Sequence, residues 1–136
     1  MTLHHFIAMN FELNREVNLK INMTPEELKS KYGDKLKSEH EGLLYDVLSV
    51  LFINLVGVSK IIVPGDFTSS RGAKAVSCSV KAAEGYLFPL KSSLVFIHKP
   101  VTYIRHNELK NVEFSRTGKE SMSRTFDLTL VKLKSD

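Results

Sequence analysis

From Lys74 to Leu133 the chain is a succession of short apolar runs separated by turn residues, and this pattern limits the fold more than any other feature. Val76, Cys78 and Val80 alternate with Ser77, Ser79 and Lys81, the period of a half-buried strand. Gly85 is expected to close a tight turn into "YLFPL". The run "SLVFIHK" is apolar on both faces, as a central strand is, and Pro100 breaks it. "VTYIRH" and "LKNVEFSR" follow, separated by "HNE". A polar loop, "TGKESMS", leads to "RTFDLTLVKL", where Phe126, Leu128 and Leu130 share a face. Six short strands at this spacing predict an antiparallel meander curling into a sandwich or barrel.

The first part of the chain follows different rules. Phe6, Ala8 and Asn10 alternate with Ile7, Met9 and Phe11, and Val17, Leu19 and Ile21 alternate with Asn18, Lys20 and Asn22. Two strands joined by a turn at "ELNRE" are expected there. Thr24, Pro25 and Glu27 form a capping box with proline at the first helical position, so a short helix starts at this point and Gly33 ends it. In "EGLLYDVLSVLFINLVG", Leu44, Val47, Leu48, Leu51, Phe52 and Leu55 recur at helical spacing, while Leu43, Val50 and Ile53 widen the apolar face. This helix is expected to be core packed on two sides, with Gly57 as its C-terminal cap. The fold class is therefore α+β, mostly β: a hairpin and two helices ahead of an antiparallel barrel or meander.

Composition removes several functions. The 136 residues are 43% hydrophobic and 25% charged, the range of a folded globular chain. Val47–Val58, the longest apolar stretch, is too short and too interrupted to cross a bilayer, and no secretory leader is expected after Met1. A single cysteine, Cys78, excludes an internal disulfide framework and a Cys-based zinc site, and points to a reducing compartment. His4 and His5 point to opposite faces of a strand, and His98 and His106 have no carboxylate or cysteine at ligand spacing. No serine sits in a strand–turn–helix elbow, and the glycines form no phosphate cradle. No enzyme activity, cofactor or metal is expected.

Charge is more informative. Residues 1–57 carry a net −2 and residues 58–136 a net +6, so the second half is the candidate for meeting a polyanion. Lys99, Arg105, His106, Lys110, Arg116, Lys119 and Arg124 lie along consecutive strands and their loops. Strands sit about 5 Å apart, so cations on one face can merge into a patch, with Tyr86 and Tyr103 at its edge. The plainer alternative is a solvated sheet face, interrupted by Glu84, Glu108, Glu113 and Glu120.

The run "KIIVPGDF…AVSCSVKAAEGYLFPLKSSLVFIHKPVTYIRHNELKNVEFSR…SRTFDL" closely resembles the middle domain of the structure-specific recognition subunit of FACT, a histone chaperone that loosens and rebuilds nucleosomes. "GYLFPL", "VFIHKP", the I-R-x-x-E-L at Ile104–Leu109 and "VEFSR" ending at Arg116 carry the resemblance, and "LNREVNLKINMTPEELKSKYGDKL…LLYDVLSVLF" extends it over nearly the whole chain.

The resemblance implies two pleckstrin-homology-like modules in tandem. Residues 1–57 would be the C-terminal part of the first. Residues 58–136 would be most of the second, with its last strand and helix absent. The chain is thus expected to be a piece of a longer protein, or to have open strand edges covered by another copy. The implied function is chromatin binding in the nucleus, on the chromosome, with the FACT large subunit, core histones or nucleosome, and DNA as partners. Direct histone binding would need local acidic or apolar contacts, for example around Glu108 and Glu113, because both partners are basic. An alternative is a platform for an acidic partner or replication factor. Phosphoinositide binding is disfavoured, because the first turn, "KAAEGY", holds one lysine and a glutamate. No membrane or small-molecule substrate is expected.

Overall fold

The computed structural model describes residues 5–58, 60–117 and 125–133. The chain divides into two compact units, one spanning Met9–Ile62, the other built from Val63 onward together with the residues before Met9.

In the Met9–Ile62 unit, β1 (Glu16–Lys20) pairs antiparallel with β2 (Glu39–Leu43), and α1 (Pro25–Tyr32) lies between them in sequence. The capping box is formed: Thr24 Oγ1 accepts from the Glu27 amide at 3.2 Å, and the Glu27 carboxylate accepts from the Thr24 amide at 3.0 Å. Gly33 ends α1 at φ 62°, its amide donating to the Lys29 carbonyl. The helix α2 (Leu44–Val56) lies against both strands and ends on Gly57 in the left-handed conformation. Its first amide, on Leu44, donates to the Arg15 carbonyl at 2.8 Å in place of a side-chain cap. Ser49 and Asn54 bond back to the carbonyls of Tyr45 and Val50, which accommodates two polar side chains on an apolar helix. Leu28, Leu36 and Val47 are the buried residues of this unit.

Two expectations change here. Phe6–Phe11 is not a strand, and β1 takes β2 as its partner across α1. The five residues "EHEGL" were hidden by their continuity with the helical run that begins at Leu44. Within this unit the long helix packs on one side, against β1 and β2: Val47 is buried, while Tyr45, Phe52, Leu55 and Val56 are exposed.

In the second unit, β3 (Val76–Val80), β4 (Ala83–Pro89), β5 (Ser93–Ile97) and β6 (Thr102–Arg105) form a four-stranded antiparallel sheet in sequence order. A three-residue 3-10 turn, His106–Glu108, leads into β7 (Leu109–Ser115), which pairs with β8 (Asp127–Lys132) in a separate two-stranded sheet. The six strands occur in the order the pattern implies, but they split into a four-stranded meander and a separate hairpin, with no β6–β7 ladder among the described residues. β5 is internal, with Ser93 and Phe96 buried, and Ile104 on β6 completes the small core. Among the described residues, no helix is long and apolar enough to cross a membrane.

Gly85 does not make the turn expected of it. The chain reverses at Lys81–Ala82, with Lys81 at φ 51°, and Gly85 lies inside β4, opposite Cys78. Its role is close approach: a Cβ there would stand 2.1 Å from the Ile97 carbonyl oxygen and 2.7 Å from the Phe96 ring. Gly85→Ala is expected to cost about 3 kcal/mol or more, because backbone must move to admit the methyl group. Ser93 presents the opposite case: its hydroxyl is fully buried with no hydrogen-bond partner. Ser93→Ala is expected to be neutral or stabilising by about 1 kcal/mol. Denaturant midpoints of the two variants check both values.

Candidate nucleic-acid interface

The seven cations expected to form a patch fall into distinct places. Lys99 is exposed in the β5–β6 connection. Arg105 ends β6, a strand of only four residues, roughly 13 Å long, so Lys99 and Arg105 lie toward opposite ends of it. His106 opens the 3-10 turn, and Lys110 follows on β7. Arg116 lies at the far end of β7, just after Ser115. Lys119 and Arg124 lie outside the described residues.

The structure therefore brings together three of them. Arg105, His106 and Lys110 are all exposed around one corner. At about 2.0 Å per residue in the turn and 3.3 Å outside it, the backbone from Arg105 to Lys110 spans at most about 13 Å. Lys110 sits at an irregularity in the β7–β8 ladder: Leu109 faces Lys132 and Asn111 faces Val131, which leaves Lys110 without a cross-strand partner. Such a bulge re-aims a side chain.

Backbone bonds hold this corner on two sides. The His106 amide donates to the Ser92 carbonyl at 2.9 Å, and the Leu133 amide donates to the Glu108 carbonyl at 2.8 Å. The Glu108 carboxylate accepts from the Arg105 amide at 3.1 Å and lies 4.0 Å from Lys132 Nζ. Its spacing in "IRHNEL", three residues after the last strand residue, is the sequence signal for this capping role.

Arg116 is differently placed. Its guanidinium grips the Asp127 carboxylate with two bonds, Nε to Oδ2 at 2.6 Å and Nη2 to Oδ1. The hydrogen bonds that Arg116 donates to Asp127, and then the Asp127 charge, raise the Arg116 pKa; the same hydrogen bonds lower that of Asp127. Arg116 also adopts φ 59°, uncommon for a residue with a side chain, at the point where β7 ends. Its charge is thus shared with Asp127, a pairing that joins residues on either side of a polar loop and that period-two patterning does not reveal.

The remaining expected participants are scattered. Tyr86 is exposed on β4 and meets His98 edge-on, with ring centroids 6.2 Å apart. Tyr103 is half-buried on β6, opposite Val95. Glu113 accepts from the Asn111 side-chain amide at 2.6 Å. Burial pushes the Cys78 thiol up, opposed in part by a hydrogen bond from the Leu87 backbone, so it is a poor nucleophile at neutral pH. Among the described residues, no group of three or more His, Cys, Asp or Glu could hold a metal ion.

The Arg116–Asp127 pair has a signed pH dependence. A carboxylate whose pKa is lowered by folding adds stability above its unfolded value, and that contribution disappears as pH falls through the lowered one. An NMR titration is expected to place Asp127 below the ordinary aspartate value, and Arg116→Ala is expected to return it there.

Two family models match the chain in succession. Residues 1–61 match the SSRP1 PH domain, and residues 74–135 match the middle domain of Rttp106-like histone chaperones. A FACT complex subunit, pob3, of Emericella nidulans is 43% identical over 131 residues, covering 95% of this chain and 23% of that protein. The FACT complex subunit ctc-1 of Neurospora crassa is 40% identical over 131 residues, with the same coverage. The FACT complex subunit Ssrp1 of Drosophila melanogaster is 38% identical over 129 residues, covering 95% of this chain and 18% of the relative. The chain spans about a fifth to a quarter of the length of these relatives. With its mostly β, antiparallel architecture and two helices, it has the pleckstrin-homology-like fold, and it belongs to the family of FACT structure-specific recognition subunits, in their middle region.

Proposed function

We propose that this chain is a non-catalytic chromatin-binding module of a FACT-type histone chaperone, acting in nucleosome reorganisation during transcription, replication and repair. It contacts duplex DNA through the corner formed by Arg105, His106 and Lys110. The observation that carries this reading is the exposure of three basic side chains around one backbone-anchored turn, in a chain whose relatives are FACT complex subunits. Phosphate contacts need exposed cations and no base-reading helix, so such binding is independent of sequence.

In this reading, residues 1–57 belong to one pleckstrin-homology-like module and residues 58–136 to a second. The whole protein works in the nucleus, on the chromosome, with the large FACT subunit. Histone contact would rest on apolar surface, since the second half of the chain and histones are both basic. A platform for an acidic protein partner or replication factor is the competing reading. The exposed Tyr86–His98 pair next to Lys99 gives it an aromatic and cationic edge, at a place other than the Arg105 corner.

Fluorescence anisotropy with a duplex of about 20 base pairs separates the two. Two or three neutralised phosphates give a slope of about −2 to −3 in log K against log salt. The paired substitution R105E/K110E is expected to abolish most of that slope, and K99E to leave it. An affinity flat between low and physiological salt, or tighter binding to an acidic peptide that K99E removes, favours the platform.

A further inference from the structure

Glu108 is an acidic residue in the middle of the proposed cationic corner, where by charge alone it would oppose a polyanion. Its bonds give it another part. The carboxylate accepts the Arg105 amide, which closes the 105–108 turn, and the carbonyl of the same residue accepts the Leu133 amide beyond β8. The carboxylate also faces Lys132 across the hairpin at 4.0 Å. One residue thus joins the last residue of the four-stranded sheet to the β7–β8 hairpin. It also fixes the backbone direction from which Arg105 and His106 leave on one side and Lys110 on the other.

We infer that Glu108 is a positioning residue of the corner: it sets Arg105, His106 and Lys110 in one array for consecutive phosphates, and holds Lys132 out of that array. The binding arm of this inference rests on the DNA reading above, while the turn-closing arm stands without it. The two arms have opposite signs, which makes them separable. Glutamine keeps the acceptor oxygen and loses the charge; alanine loses both.

The test compares Glu108→Gln and Glu108→Ala in the whole chain, with duplex DNA as the probe and hydrogen exchange at the Arg105 amide as an independent readout. Glu108→Gln is expected to keep Arg105 amide exchange within about twofold, and to tighten DNA binding about threefold as Lys132 is freed. Glu108→Ala is expected to accelerate that exchange about tenfold. It should weaken DNA binding and flatten its salt slope, although it adds the same net charge. Equal tightening by both variants would mean that Glu108 acts through charge alone, and overturns the inference. So does an Arg105 amide indifferent to alanine. If the unaltered chain does not bind DNA, the DNA reading fails, and the exchange comparison alone decides whether Glu108 closes the turn.

Discussion

The turn at 105–108 is the joint on which the second unit's candidate surface depends. A four-stranded meander and a two-stranded hairpin share no ladder. What joins them there is a short set of directed bonds: His106 to Ser92, Leu133 to Glu108, and Arg105 to the Glu108 carboxylate. A three-residue 3-10 turn cannot satisfy its own donors and acceptors, so each one met from outside fixes an orientation. The cations emerge from this joint because β6 ends at exposed Arg105 and β7 carries exposed Lys110 as its second residue, not because the whole sheet face is positive.

Electrostatics sharpen the distinction between charge and available charge. The net +6 after Gly57 counts every lysine and arginine alike. In the folded unit, Arg116 is doubly bonded to Asp127, and Lys132 faces Glu108. Both pairs cross the same hairpin, near its opposite ends. Exposed pairs of this kind contribute little to stability in water, but they lower the local potential a polyanion meets. Among the described residues, Arg105, His106 and Lys110 have no such acidic partner, which makes their corner the candidate for polyanion contact. It also argues against a uniform basic wall.

Much of the fold could be read from the chain because its local signals agree. Thr24, Pro25 and Glu27 each specify the start of α1, and the alternation of Val76, Cys78 and Val80 specifies β3. Local signals mislead where one residue type serves two geometries. Gly85 signals a turn equally well as a close approach of strands, and only the position of Ile97 decides between them. Phe6–Phe11 alternates like a strand, but Glu39–Leu43, on the far side of α1 from β1, takes the ladder. The candidate site was legible as a set of basic residues and not as a geometry. The spacing of Arg105 and Glu108 held the clue to the corner, whereas the register that unites Arg116 with Asp127 is a long-range property. The exposure of Phe52 and Leu55 on α2 was likewise beyond a periodicity argument, which identifies apolar faces without saying what covers them.

The central claim is that polyanion contact is confined to the 105–110 corner. Amide chemical-shift mapping of the isotope-labelled chain, titrated with a short DNA duplex at low salt, tests it most directly. The account predicts shifts that centre on Arg105, His106 and Lys110 and reach Ser92 and Lys132 through the bonds that anchor the turn. Shifts centred on Arg116–Asp127 or on α2, or spread evenly over every basic position, would contradict it.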